Sequence, residues 1–77
     1  MNKTRRAAIE KAKEALEAAR AAVEELRDEE QEYYDNMPES LQGGEKGENA
    51  QTAIDALESA VSSMEEAENS LDEAVNV

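Results

Sequence analysis

The same heptad pattern occurs twice in this sequence, and it constrains the fold more than any other feature. In residues 4–36, apolar side chains recur in alternating steps of three and four, the spacing of a coiled-coil seam. Position a holds Ile9, Leu16, Val23 and Met37, and position d holds Ala12, Ala19, Leu26 and Tyr33. Glu30 stands at the remaining a position and interrupts the seam. This segment is therefore predicted to form one long amphipathic helix, helix 1.

Residues 48–75 repeat the pattern and predict a second helix of similar length. Position a holds Ile54, Val61 and Val75, with Glu68 as the interruption, and position d holds Ala50, Leu57, Met64 and Leu71. Alanine recurs at position g in both segments, at Ala8, Ala15 and Ala22 and at Ala53, Ala60, Ala67 and Ala74. Each helix therefore presents an a/d seam flanked by small residues.

Residues 37–47 separate the two segments and contain the only proline and all three glycines. Pro38 is expected to end helix 1, because proline lacks the amide that a helix interior needs. Residues 37–41 are expected to form one short turn capped by Asn36, and Gly43–Gly47 is interpreted as a flexible linker. The predicted fold is all-α: a single domain, residues 1–77, forming an antiparallel, coiled-coil-like two-helix hairpin.

Charges beside the seam favour the antiparallel orientation. Position e is basic in helix 1 and mostly acidic in helix 2, and antiparallel packing brings the e positions together. A register in which paired residue numbers sum to about 85 predicts three ion pairs. They are Lys13 with Asp72, Arg20 with Glu65, and Arg27 with Glu58. Glu68 has a second option, which is to pair with Arg20.

The alanine flank can serve two purposes. It can let the two helices of one hairpin approach closely, or it can widen the apolar face so that a second hairpin docks on it. A chain of 77 residues without cysteine has little core and no disulfide to stabilise it. We therefore expect a homodimer that forms a four-helix bundle.

The composition excludes most catalytic chemistry. There is no histidine or cysteine, so thiolate metal sites and the Glu-x-x-His motif of di-iron bundles are excluded. A calcium loop starting at Asp35 would place Ser40 where glycine is needed and Lys46 where glutamate is needed. The seam acids Glu30 and Glu68 are expected to lie far apart and to reach out towards water or a base. No enzyme activity, metal or cofactor is predicted.

Charge is distributed unevenly along the chain, whose net charge is −12. Residues 1–13 contain five bases and one acid, a net charge of +4, and the other 64 residues contain 19 acids and three bases, a net charge of −16. Such a surface repels nucleic acid and anionic lipid, so no direct nucleic-acid or membrane binding is expected. No apolar segment has the length of a membrane span, and a cytoplasmic protein is expected.

The acidic run at residues 28–35 is the leading candidate surface. Acids at the C-terminal end of a helix oppose the helix dipole, and few bases are near enough to compensate. The run is either an ordinary solvated face or a docking site with apolar anchors inside an acidic rim. The residues predicted to bind a partner protein are Glu29, Glu32, Tyr33, Tyr34, Asp35, Met37 and Leu41.

Two other functions remain open at this stage. Arg5, Arg6 and Lys11 cluster near the N-terminus and could grip an anionic nucleotide signal in a pocket between subunits of an oligomer. The high negative charge is also compatible with a nucleic-acid mimic that occupies a DNA- or RNA-binding cleft.

One segment of the chain resembles a known group of proteins. The residues that carry the resemblance are Glu25-Leu26, Asp28 to Glu32, Tyr33, Asp35-Asn36, Pro38-Glu39, Leu41-Gln42, Lys46-Gly47-Glu48 and Ala53-Ile54-Asp55. On these residues, the segment Leu26–Glu58 looks like a family of small acidic helical proteins from bacteriophages, prophages and other mobile elements. The family has no assigned activity, so the resemblance implies an origin. By analogy with small phage proteins that inhibit host defence, a partner in the host cytoplasm and a role in immune evasion are expected.

Overall fold

The computed structural model describes all 77 residues and contains only helices. Helix α1 spans Lys3–Asp35, the short helix α2 spans Glu39–Gln42, and helix α3 spans Glu45–Val75. Helices α1 and α3 pack side by side in opposite directions, since Lys13 pairs with Asp72 while Tyr34 contacts Gln42. The all-α prediction is confirmed, and the hairpin measures 59 × 14 × 12 Å.

An asparagine caps each end of helix α1. The Asn2 side-chain Oδ1 accepts a hydrogen bond of 2.7 Å from the backbone N–H of Arg5, which satisfies one free amide of the first turn. At the other end the N–H of Asn36 donates to the carbonyl of Glu32 at 3.0 Å. Asn36 therefore closes α1, and the prediction that it caps the following turn is wrong. Pro38 occupies the N-cap position of α2 instead.

The connection between the long helices is packed, which corrects its interpretation as a flexible linker. Helix α3 begins at Glu45, so Gly47 lies in its first turn and is buried. A Cβ atom at Gly47 would lie 1.8 Å from the Gln42 carbonyl oxygen, far inside van der Waals contact. The Gln42 side chain in turn donates to the Tyr34 carbonyl at 3.1 Å. Glycine is therefore needed at residue 47 so that α2 can lie against α3.

The core lies along α3 and is thin. Ala50, Ile54 and Val61 are the only buried apolar residues. Other a and d residues of α3 are half-buried, as are three of its four g alanines; the exposed one is Ala67. The a/d seam with an alanine flank is thus confirmed for this helix.

For α1 the predicted seam is only partly right. Its a residues face α3, but its d residues do not: Ala12 and Ala19 are exposed, and Leu26 and Tyr33 are each 52% exposed. The half-buried second row is position e instead, which holds Lys13, Arg20, Arg27 and Tyr34. At 100° per residue, this corresponds to a rotation of α1 by roughly 50° about its axis.

Side-chain chemistry explains the rotation. Alanine at d gains little from burial, whereas the long stems of lysine and arginine at e can cover apolar surface and still place their charges at the rim. The rotation brings Lys13 and Arg20 within reach of acids on α3. It also turns the d and g positions of α1 away from the seam.

Candidate interaction surfaces

Ion pairs along one edge of the seam hold α1 in its rotated position. Lys13 Nζ lies 2.9 Å from Asp72 Oδ1, as predicted. The other two predicted pairs are wrong. Arg20 Nε lies 2.5 Å from Glu68 Oε2 and its Nη1 lies 2.8 Å from Glu24 Oε1, while Arg27 Nη2 lies 3.0 Å from Asp28 Oδ1.

The seam acid Glu68 therefore forms an ion pair with Arg20, which was the second option for it in the sequence analysis. Arg20 reaches across the seam to Glu68 with two nitrogens, and the Glu68 side chain is 12% exposed. This fork satisfies a seam carboxylate that would otherwise lose its hydration. The hydrogen bond to Glu68 raises the pKa of Arg20, and the hydrogen bond to Asp72 raises the pKa of Lys13. Both pairs join α1 to α3 and so help to fix the register.

The acidic turn end is defined as residues 28–41, and the structure divides its predicted binding residues into two groups. Tyr34 and Met37 are half-buried. The exposed group consists of Glu29, Glu32, Tyr33, Asp35 and Leu41, with Tyr33 52% and Leu41 45% exposed. Tyr33 and Tyr34 are neighbours in sequence but lie on different faces of α1. The exposed group therefore combines two apolar anchors with three carboxylates.

Few charges of the acidic turn end are neutralised. The last turn of α1 contains no basic residue. Lys46 is the only base after Arg27 and takes part in none of the four ion pairs. Asp35 accepts a hydrogen bond of 3.0 Å from the Gln31 amide. Each carboxylate near the C-terminal end of a helix costs about 0.3–1 kcal/mol at low ionic strength. This end of the hairpin is thus electrostatically strained and favours a positively charged neighbour.

The three N-terminal bases do not converge on one point. Arg6 Nη2 donates to the backbone carbonyl of Val77 at 2.9 Å, which ties the start of α1 to the end of the chain. The side chains of Arg5 and Lys11 are exposed and make no hydrogen bond or ion pair within the hairpin. The hairpin contains no cavity, so a nucleotide site at these residues would require additional copies of the chain.

The two seam acids are not part of a cluster that could hold a metal ion. Glu30 and Glu68 are half-buried, and nowhere do three acidic side chains come together in a way that could hold a metal ion. None of the three helices combines the length and the apolar character that crossing a lipid bilayer requires.

A second exposed surface was anticipated only in part from the sequence, which gave the g alanines as a flank for a second hairpin but assigned the d residues of α1 to the seam. The rotation of α1 leaves a row of apolar side chains exposed, here called the outward α1 face. Its apolar members are Ala12, Ala15, Ala19, Ala22, Leu26 and Tyr33, all of them exposed. Because the e positions of the two helices share one edge, this face lies on the same side of the hairpin as the alanine flank of α3. The run of four bases at consecutive e positions of α1, from Arg6 to Arg27, was the signal that could have revealed the rest of it.

Comparisons with known proteins found no match for this chain: no family model, no curated protein and no solved structure is significantly similar to it. Its function must therefore be inferred from the chemistry of its own surfaces.

Proposed function

We propose that this hairpin is a non-enzymatic protein-interaction module of phage or mobile-element origin, and that it binds a host protein through the acidic turn end. The exposed group at that end contacts the partner, with Tyr33 and Leu41 as apolar anchors and Glu29, Glu32 and Asp35 as the acidic rim. The partner presents a basic surface with room for an aromatic side chain.

The observation that carries this proposal is the uncompensated charge beside exposed apolar side chains. The last eight residues of α1, residues 28–35, contain five acids and no base, although the chain has five bases within residues 1–13. Tyr33 within this run and Leu41 on the following helix α2 are each about half exposed. Unfavourable electrostatic interactions that no contact within the fold offsets are expected at surfaces where a protein binds a partner. Binding of a basic partner would remove these interactions.

The proposed cellular role follows from the resemblance of the turn region to small phage proteins. A short, acidic helical hairpin without a cavity can bind another protein through its exposed surfaces but has no pocket for a small substrate. We therefore propose that it acts in the cytoplasm of the host cell as an inhibitor of a host defence protein.

We further propose that the protein, when no partner is bound, is a homodimer in which two hairpins form a four-helix bundle. The radius of gyration is 17.4 Å, against about 11–12 Å for a globular domain of this length. Three buried apolar residues are few for a chain of 77. A second copy would supply the apolar contacts that one hairpin lacks.

The test begins with affinity capture from a bacterial host lysate, followed by calorimetry with the purified partner. A variant with Glu32→Gln, Tyr33→Ser and Leu41→Ser removes one charge and both anchors while leaving the half-buried Tyr34 in place. Because central anchors contribute about 2 kcal/mol or more each, the affinity should fall by at least about 30-fold. Circular dichroism should show unchanged helicity, since all three side chains are exposed.

The matched control is a variant with Ser63→Ala, Glu65→Gln and Glu66→Gln, which alters three exposed side chains on α3. It should bind the partner as the wild type does. If the turn-end variant binds equally well, the acidic turn end is not the docking site. If the captured partner is a nucleic-acid-binding protein and moderate salt releases it, the surface works as a nucleic-acid mimic instead.

A further inference from the structure

We infer that two hairpins pair antiparallel through the outward α1 face, so that the basic start of each α1 lies against the acidic end of the other. This inference builds on the proposed homodimer and supplies its interface, orientation and register. The occupant of the face is thus a second copy of this chain.

The exposed area is the first argument. The hairpin exposes 5454 Å² of surface. A globular monomer of its mass, 8.4 kDa, would expose about 4600 Å². The excess is roughly 850 Å², and a standard protein–protein interface removes about 800 Å² from each partner. The surplus surface of one hairpin therefore matches what one copy contributes to a stable dimer.

The order of charges along the face is the second argument. Arg5 and Lys11 lie at its N-terminal end, and Glu25 and Glu32 lie at its C-terminal end. All four side chains are exposed, and none forms an ion pair within the hairpin. Between them the face is built of alanine. A surface that is basic at one end, apolar in the middle and acidic at the other is complementary to itself under a two-fold axis.

The register follows from the helix rise of 1.5 Å per residue. If the two-fold axis passes between Ala18 and Ala19, then Arg5 lies level with Glu32 of the second copy. Lys11 is then offset from the second copy's Glu25 by only about 1.5 Å along the axis. Alanines face alanines at the centre, where small side chains permit an interaxial distance near 8 Å.

The bulky side chains also find partners in this register. Leu26 lies level with Lys11 and next to Ala12 of the second copy, so the lysine stem and the alanine can cover it. Tyr33 comes beside Arg5 of the second copy, an arrangement that suits a cation–π contact. Both apolar side chains that α1 leaves exposed are covered at once.

A parallel arrangement would not give these contacts. A two-fold axis along the length of the hairpin places bases against bases at one end and carboxylates against carboxylates at the other, which is repulsive at both ends. It would also leave the dipole conflict at the acidic turn end unrelieved. Charge therefore selects the antiparallel pairing.

The antiparallel dimer covers Glu32 and Tyr33, which also belong to the proposed host-protein surface. A second copy and a host protein therefore compete for this part of the acidic turn end, while Asp35 and Leu41 lie beyond it. In the dimer, the basic start of α1 in one copy contacts the part of the other copy's acidic turn end to which the basic surface of the host protein would bind.

The test uses two variants with opposite charge reversals and measures native mass by analytical ultracentrifugation. The basic-end variant carries Arg5→Glu and Lys11→Glu, and the acidic-end variant carries Glu25→Lys and Glu32→Lys. Arg5→Glu and Glu32→Lys each place a charge that the helix dipole favours in a terminal turn of α1, and all four side chains are exposed, so neither hairpin should lose stability. Each variant alone should sediment as a monomer at concentrations where the wild type has twice its chain mass of 8.4 kDa. An equimolar mixture should recover the dimer mass, because both ends are again complementary in the mixed pair.

A control separates local complementarity from overall charge. Two Glu→Lys changes add four positive charges to −12, so the acidic-end variant has a net charge of −8. A variant with Glu66→Lys and Glu73→Lys on the exposed outer side of α3 has the same net charge and should remain a dimer. Loss of the dimer in the acidic-end variant, which repels itself less than the wild type overall, can then only reflect the lost pairs.

Three results would overturn the inference. If the wild type is a dimer and both charge-reversed variants remain dimers, the homodimer stands but another face forms it. If the variants are monomers and their mixture is also monomeric, the antiparallel register is wrong. If the wild type is a monomer at all concentrations, the proposed homodimer does not exist. The turn-end variant then still tests the host-protein surface independently.

Discussion

Replacing Gly47 by alanine tests whether the connection is packed as the structure describes. In an ordinary helix interior this change stabilises a protein by about 0.5–1 kcal/mol, because glycine loses more backbone entropy on folding. At Gly47 the new Cβ would lie 1.8 Å from the carbonyl oxygen, 2.4 Å from the carbonyl carbon and 2.7 Å from the Cα of Gln42. Backbone atoms cannot rotate away, so α2 must move as a unit.

The cost can be estimated from what that movement breaks. Forcing an extra carbon into a packed contact costs about 1–3 kcal/mol. Loss of the hydrogen bond from Gln42 to the Tyr34 carbonyl adds about 0.5–1.5 kcal/mol. After subtraction of the gain in helix propensity, a net loss of about 0.5–4 kcal/mol is expected. For a domain of this size, each kcal/mol lowers Tm by about 4–8 °C.

The control is Gly43→Ala in the same connection. Gly43 has φ −83° and ψ −3°, which alanine adopts freely, and nothing lies within 4 Å of the added Cβ. Its stability should be unchanged or higher by up to about 1 kcal/mol. Thermal unfolding followed by circular dichroism at one fixed protein concentration compares the two variants. If Gly47→Ala is as stable as Gly43→Ala, the close contact between α2 and α3 does not exist.

Three further predictions concern the ends and edge of the seam. Asn2→Ala should lower the free energy of unfolding by about 1 kcal/mol in urea titrations because the first turn of α1 loses its cap. Double-mutant cycles should give a larger coupling energy for Arg20 with Glu68, whose carboxylate is 12% exposed, than for Lys13 with the half-exposed Asp72; equal couplings would contradict the forked geometry. The folded-state pKa of Lys13 is raised, so its pair with Asp72 contributes fully below the ordinary lysine pKa of about 10.4 and is lost as pH rises through the raised value. Between about pH 9 and pH 12, Tm should therefore fall more for the wild type than for Lys13→Arg, which keeps its charge at higher pH.

Periodicity and chemistry that are local in sequence were enough to predict most of the fold. The heptad pattern of residues 48–75 correctly placed Ile54 and Val61 in the core. The connection was located by its proline and glycines. The pair of Lys13 with Asp72 followed from charge and turn length alone.

The rotation of α1 could not be read from its apolar pattern. Ala12 and Ala19 look like seam residues because they fall at d, yet alanine contributes so little burial that it does not fix the helix orientation. The bases at e decide the orientation instead, through partners such as Glu68 that lie far away in sequence. The same limit explains Gly47, whose role depends on a contact with the backbone of another helix.

The unpredicted rotation of α1 also changes which residues of the acidic turn end are available to a partner. Tyr33 and Tyr34 were both predicted to bind the partner, and a rotation of α1 by roughly 50° decides which of them is available. The rotation leaves Tyr33 exposed and half-buries Tyr34. It also adds the d residues of α1, which periodicity alone assigned to the seam, to the outward α1 face.

Distances between spin labels in the wild-type background would test the antiparallel dimer most directly. The chain has no cysteine, so Ala7→Cys and Ala21→Cys each provide a single labelling site on an exposed side of α1 away from the seam. With the two-fold axis between Ala18 and Ala19, labels at residue 7 are separated by about 35 Å along the helix axis and labels at residue 21 by about 8 Å. Double electron–electron resonance should therefore give a much longer distance for Ala7→Cys than for Ala21→Cys. Equal short distances would indicate a parallel dimer, the absence of any dipolar signal would indicate a monomer, and either result would contradict the account.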